Sequence, residues 1–234
     1  MHGAWIEAGF FISTGGKSPT REEGLLPPHL VTVSECIAEI YPDYWALPWA
    51  KATDEAIASV KEALQLDDPG LERLRKWVSD CWDGGTFGWP NVFYSQEVAQ
   101  EFKDQFLPSS MQVQLLGLSL EESVAKEFLK EEAPQEGQGG SGVWTMLSQN
   151  KPLPLNQDFL GYEVLGVECG CSFHTAACNG LEVDYSRKLG ISMNEVGLFD
   201  EYADAVKACD YTNLEDTGAE PVPWYPFRVD QYLF

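Results

Sequence analysis

The sequence predicts an α+β protein in which a mixed sheet is covered by helices, with a helical portion near the N-terminus. Three observations lead to this prediction. Apolar residues recur at helical spacing in residues 53–66 and 71–82, and segments 111–118 and 162–168 alternate between apolar and polar residues. Strand and helix patterns also follow one another between residues 92 and 132. Such an alternation is typical of a sheet with helices packed on it.

The N-terminal region begins with strand and turn signals. Residues 10–14 are predicted to form a short strand, which Gly15 and Gly16 end. Ser34 precedes a short helical segment that Pro42 ends. The segment 41–50 combines four aromatic residues with two prolines, which predicts a rigid turn over the core.

Two helices follow and form a predicted antiparallel hairpin. The first, residues 53–66, places Ile57, Val60 and Leu64 on one face. A turn containing Pro69 and Gly70 separates it from a second helix that ends near Trp82. The apolar face of that second helix consists of Leu71, Leu74 and Val78.

The middle of the chain combines strands and capped helices. Residues 92–94 are predicted to form a strand, and Ser95 caps a helix. The apolar face of that helix consists of Val98, Phe102 and Phe106. Residues 111–118 form the next predicted strand, after which Ser119 and Glu122 match a capping box that opens a helix to about residue 132.

Residues 133–142, rich in Gly and Gln, predict an exposed loop or linker. They divide an N-terminal portion, residues 1–132, from a C-terminal portion, residues 143–234, unless the chain forms a single domain.

The C-terminal portion contains both strand and helix patterns. Residues 143–147 and 162–168 are predicted strands, and residues 173–189 and 200–209 are predicted helices. The aromatic tail, residues 220–234, should dock on the domain as an extended segment.

Charge constrains the partners. The chain has 37 Asp and Glu residues against 15 Lys and Arg residues, a formal net charge of −22. Such a surface repels nucleic acid and anionic membranes and accelerates association with a basic protein, although it also simply favours solubility. The first residues lack the basic region of a signal peptide, and no stretch reaches the ~20 apolar residues of a membrane span. We therefore expect a cytoplasmic protein with reduced cysteines.

Four potential metal ligands lie within ten residues: Cys169, Cys171, His174 and Cys178. Three thiols and an imidazole would suit zinc. The spacing C-x-C-x2-H-x3-C matches no common zinc knuckle, and cysteines often pack as small apolar residues. No cofactor is therefore expected, with zinc on these four residues as the alternative. In a second alternative, His174 activates Cys178 as a nucleophile, with Asn179 or Asp184 orienting the imidazole.

Four segments of the C-terminal third carry a resemblance: GYEVLG (161–166), SFHTAACNGLE (172–182), LGISMNEVGLF (189–199) and PVPWYPFRVDQY (221–232). With these segments the chain resembles bacterial immunity proteins of polymorphic toxin systems. The resemblance implies a cytoplasmic inhibitor that binds one cognate toxin and has no chemistry of its own. His174, Cys178 and Asn179 match the pattern and are its candidate binding residues.

These observations predict an acidic cytoplasmic binding protein that neutralises a basic protein partner, such as a toxin or a nuclease. No catalytic residue is assigned. The alternative is a metalloprotein or thiol enzyme that uses Cys169, Cys171, His174 and Cys178.

Overall fold

A computed structural model describes residues 3–19, 25–34, 36–37, 47, 53–136, 139–153, 158–168 and 172–234. The strands are β1 (Trp5–Ser13), β2 (Gly16–Lys17), β3 (His29–Leu30), β4 (Phe87–Gly88), β5 (Val92–Phe93), β6 (Gln114–Glu121), β7 (Asp158–Glu168), β8 (Ser172–Thr175) and β9 (Trp224–Tyr232). The α-helices are α1 (Asp54–Ala63), α2 (Asp68–Asp83), α3 (Gln96–Phe106), α4 (Glu122–Glu131), α5 (Gly142–Ser148), α6 (Glu182–Asp184) and α7 (Tyr202–Thr212).

A seven-stranded sheet in the order β4-β5-β1-β6-β9-β7-β8 organises the molecule, and β2 and β3 form a separate two-stranded sheet. The α+β class predicted from the sequence is confirmed. Every strand pairing in the described part of the chain is antiparallel. The crossover helices that connect neighbouring parallel strands are therefore not required.

The aromatic tail lies in the middle of this sheet as β9, between β6 and β7. Its Val229 pairs with Leu118 on one side and with Gly161 on the other. Strands from both sides of residues 133–142 therefore share one hydrogen-bonded sheet.

Successive residues of the central strands point to opposite faces of the sheet and pack in different hydrophobic cores. On one face, Leu116, Leu118 and Leu120 of β6 pack with α4 and α5. On the other face, Leu115 joins the core beneath α1, α2 and α3, while Tyr162 and Val164 of β7 pack against α7.

The helices predicted from residues 53–106 are confirmed. Thr53 caps α1 by accepting from the Ala56 N–H at 3.1 Å, and Asp67 caps α2 by accepting from the Gly70 N–H at 2.7 Å. Ser95 caps α3 as predicted.

Two local predictions in the middle of the chain are wrong. Ser119 does not open a helix: it is buried inside β6, which continues to Glu121 because Leu118 and Leu120 pack in the core. The carboxylate of Glu121 caps α4 instead, accepting from the Ser123 N–H at 2.9 Å. Residues 143–147 form part of helix α5 rather than a strand, with Ser141 as its cap.

The helix predicted over residues 173–189 is wrong in its first half, whereas residues 182–189 are helical. Residues 172–175 instead form β8, whose backbone pairs with β7. A 3-10 turn (Ala176–Asn179) follows and ends at Gly180, which adopts φ +71°. After α6, a π-helical turn (Tyr185–Leu189) completes the segment. His174 and Cys178 therefore do not share a helix face.

The helix predicted after Ser34 and the turn predicted over residues 41–50 fall largely outside the described residues. Within the described residues, no helix is long and apolar enough to cross a membrane.

Candidate thiol site at the sheet edge

The hairpin of β7 and β8 brings a histidine and a carboxylate together at the edge of the sheet. Gly166 pairs with His174, and Glu168 pairs with Ser172. Ser172, opposite Glu168, lies two residues before His174 on β8. Residues two apart on a strand, and residues directly opposite each other, point to the same face of the sheet, so the side chains of His174 and Glu168 lie side by side. His174 Nε2 lies 3.1 Å from Glu168 Oε2, and the imidazole side chain is 17% exposed.

A distant N-terminal segment crosses this edge and delivers Cys36. Ser34 fixes the segment, because its hydroxyl donates to the Phe173 carbonyl at 3.0 Å and accepts from the Thr175 N–H at 3.1 Å. The Cys36 N–H in turn donates to the Ser34 hydroxyl oxygen at 3.3 Å. Cys36 Sγ thereby lies 3.2 Å from His174 Nδ1.

A buried carboxyl group anchors the same segment from below. The Thr32 hydroxyl donates to Glu163 Oε1 at 2.5 Å, and the Ser34 N–H donates to the Thr32 hydroxyl oxygen at 3.0 Å. Burial raises the pKa of Glu163 to about 8. The carboxyl group is therefore mainly protonated at neutral pH, and the anchor is uncharged.

Cys178 contacts Cys36 from the 3-10 turn after β8. Its thiol donates a hydrogen bond to the Cys36 sulfur, and this bond lowers the pKa of Cys36 to about 5. Burial opposes the shift, whereas Ser34 and the charge of His174 reinforce it. The same hydrogen bond raises the pKa of Cys178 above its usual range.

His174 completes an ion pair with the Cys36 sulfur. Burial disfavours the charged ring, but hydrogen bonds to Glu168 and Cys36 outweigh it and raise the pKa of His174 above its usual range. A doubly protonated ring can donate to the thiolate from Nδ1 and to the carboxylate from Nε2. We call Cys36, His174, Glu168 and Cys178 the thiol site.

The structure brings together two of the residues singled out in the sequence, His174 and Cys178, but with different partners. Cys36 and Glu168 contact the imidazole. Asn179 donates through Nδ2 to the Gly218 carbonyl at 3.3 Å. Asp184 pairs instead with Lys188 at 2.9 Å and accepts from the Tyr211 hydroxyl.

Sequence reasoning missed Cys36 and Glu168. Cys36 is 138 residues from His174, and no motif surrounds it, so no local spacing could connect the two. The available signal for Glu168 was its position at the end of a regularly alternating strand, one residue before Cys169.

Zinc on the four predicted ligands stays a prediction. Cys169 and Cys171 lie outside the described residues. Among the residues that the structure does describe, no group of three or more His, Cys, Asp or Glu side chains could hold a metal ion.

No protein-family model, curated protein or solved structure matches this chain. The resemblance to immunity proteins therefore also stays a prediction, and the chemistry of the site must be argued from its geometry.

Proposed function

We propose that the protein performs covalent thiol chemistry, with Cys36 as the nucleophile. The observation that supports this proposal is the chain of contacts from Cys36 Sγ to His174 Nδ1 at 3.2 Å and from His174 Nε2 to Glu168 at 3.1 Å. A nucleophile, a base and a group that orients the base are the three parts of an activated cysteine site.

Each residue has a distinct role in this proposal. His174 takes the Cys36 proton and returns it to a leaving group, while Glu168 fixes the ring orientation and stabilises its positive charge. Cys178 stabilises the thiolate by donating a hydrogen bond. Cys36 is exposed, so an electrophile can reach the sulfur from solvent.

Competitive alkylation with iodoacetamide tests the proposal. We choose about pH 5.5, where a thiol of pKa about 5 is mostly ionised and an ordinary cysteine is only ~0.1% ionised. Because nucleophilicity falls with pKa, the net advantage expected for Cys36 is about tenfold. Cys81 is the comparison cysteine in the same sample, because it is half-buried and burial raises its pKa. Trypsin releases Cys36 and Cys81 on separate peptides, which mass spectrometry quantifies independently.

Preferential labelling of Cys36, reduced in His174→Ala, is the expected result. Equal labelling of Cys36 and Cys81, or an unchanged rate in His174→Ala, would overturn the proposal. Cys81→Ser serves as the control variant, because it leaves the thiol site intact.

A second candidate function, neutralising a basic protein partner, is favoured by the net charge of −22. Opposite charges accelerate association and make binding sensitive to salt. The expected result is a basic protein captured from the native host lysate at low salt and released by added salt, identified by mass spectrometry. Capture that is insensitive to salt, or capture of no basic protein, would count against this candidate.

A further inference from the structure

We propose that Cys36 and Cys178 form a dithiol pair that reduces hydroperoxides, in which Cys36 attacks the peroxide and Cys178 then closes a disulfide. This inference rests on the thiol function proposed above and specifies its substrate class and its second reactive residue.

The first support is the contact between the two sulfur atoms. Cys36 and Cys178 are both free. Cys36 Sγ lies 3.2 Å from His174 Nδ1 on β8, and Cys178 lies in the turn that directly follows β8, where its thiol donates to the Cys36 sulfur. Closing a disulfide shortens such a contact to about 2 Å. Cys178 lies in the four-residue 3-10 turn that ends at Gly180, so the approach requires movement of a turn rather than of a strand within the sheet.

The second support is the charge around the site. Glu168 contacts His174, and Glu220 acts electrostatically on both His174 and Cys178. With a net charge of −22 on the chain, this environment disfavours anionic substrates such as phosphates and carboxylates. A hydroperoxide is neutral and small, and it can reach an exposed sulfur.

The first step oxidises Cys36. The thiolate attacks the terminal oxygen of the hydroperoxide, an S–O bond forms and the O–O bond breaks. The leaving alkoxide or hydroxide takes a proton from the imidazolium of His174 and departs as an alcohol or water. The sulfur loses two electrons and becomes a sulfenic acid, and the peroxide gains these two electrons.

The second step uses Cys178. Its sulfur attacks the sulfenic sulfur, the S–S bond forms and the S–O bond breaks. The Cys178 proton leaves with the hydroxyl group as water, so the step is balanced without a further oxidant. An external dithiol then reduces the disulfide by exchange and returns both cysteines to their starting state.

The test treats the reduced full-length protein with hydrogen peroxide or cumene hydroperoxide, blocks the remaining thiols, and maps disulfides without reduction. Trypsin releases Cys36 on one peptide and Cys169, Cys171 and Cys178 together on another. The variant Cys178→Ser identifies the partner, and Cys169→Ser and Cys171→Ser are its matched controls. Dimedone traps the sulfenic acid where no disulfide can close.

We expect the two peptides to be linked in the wild-type protein and in both control variants. In Cys178→Ser the link should fall at least about tenfold while dimedone labelling of Cys36 rises correspondingly. An unlinked Cys36 peptide in the wild-type protein, or a link that persists in Cys178→Ser, would overturn the inference. The wild-type measurement needs no variant, so a folding defect in Cys178→Ser cannot obscure the result.

The two proposals fail separately. If Cys36 is alkylated no faster than Cys81, the thiol function itself is wrong. If alkylation is fast but neither peroxide links Cys36 to Cys178, the thiol function stands and the peroxide chemistry is wrong. Reaction with only one of the two peroxides supports the inference and identifies the preferred size of substrate.

Discussion

Cys209 and Cys36 are both free cysteines beside the same sheet, but their surroundings shift the pKa values of the two thiols in opposite directions. Cys209, on α7, is 6% exposed and donates to the Trp224 carbonyl at 3.0 Å. Burial raises the pKa of this thiol to about 12. Cys36 is exposed and accepts from the Cys178 thiol beside the imidazole of His174, and its pKa is lowered to about 5. The reactivity of a cysteine here depends on what contacts the sulfur.

The largest expected effect is a direct contrast between these two cysteines. In the native protein at about pH 7, Cys209 should be alkylated at least ~100-fold more slowly than Cys36, because it is buried and almost fully protonated. Site-resolved mass spectrometry of the alkylated peptides measures both rates. In denaturant the two rates should converge, and similar rates in the native protein would contradict the contrast.

Two substitutions of Cys178 test the hydrogen bond that its thiol donates to Cys36. Cys178→Ala deletes the donor, whereas Cys178→Ser keeps one. A hydrogen bond to a charged group contributes about 1.5–3 kcal/mol, so Cys178→Ala should raise the pKa of Cys36 by about one to two units. Cys178→Ser should raise it by less than half as much. The pH dependence of Cys36 alkylation measures both shifts, and identical shifts would show that the donor is not responsible.

A smaller effect concerns the buried carboxyl group that anchors the Cys36 segment. Burial raises the folded-state pKa of Glu163 from 4.5 to about 8. Its protonated form therefore contributes stability that is fully present below about pH 4.5 and is lost as the pH rises through about 8, at ~1.4 kcal/mol per pH unit between these values.

Glu163→Gln keeps an acceptor for Thr32 but cannot ionise. Relative to the wild type, this variant should gain on the order of 2 kcal/mol between about pH 6 and 7.5. Thermal unfolding at several pH values measures the difference, expected as several degrees in Tm. Parallel stability curves for the two proteins would contradict the assignment.

The smallest expected effect is the change in Tm and in the Cys36 alkylation rate caused by a matched pair of glycine substitutions. Gly180 and Gly190 have similar backbone angles, φ +71° and +67°, which cost a residue with a side chain about 1 kcal/mol. Gly180→Ala and Gly190→Ala should therefore lower Tm by a similar few degrees. Only Gly180→Ala, at the end of the turn that carries Cys178, should also change the alkylation rate of Cys36. Equal Cys36 alkylation rates in the two variants would show that the turn carrying Cys178 does not affect the reactivity of Cys36.

The sequence identified elements whose stability is local. The helices α1, α2 and α3 were predicted from apolar residues at spacings of three and four, and α3 also from its cap at Ser95. The structure adds caps at Thr53 and Asp67 for α1 and α2. The strand β7 was predicted from its alternation. In these segments, local pattern and tertiary packing agree.

The errors occur where distant pairing decides the structure. The apolar spacing in residues 173–189 matched a helix, but residues 172–175 pair with β7 and Gly180 adopts a left-handed conformation. The thiol site likewise depends on contacts between segments that are distant in the sequence. Cys36 and His174 meet only because Ser34 docks on the backbone of β8, a contact that spans 139 residues or more.

The measurement that tests the central claim most directly is the pH profile of Cys36 alkylation in the wild-type protein, with Cys81 quantified in the same samples. A thiolate stabilised by Cys178 and His174 should show a midpoint at about pH 5 and a nearly constant rate above about pH 6, while the Cys81 rate keeps rising with pH. A Cys36 midpoint near the ordinary value of about 8.5 would contradict the thiol site and both proposals built on it.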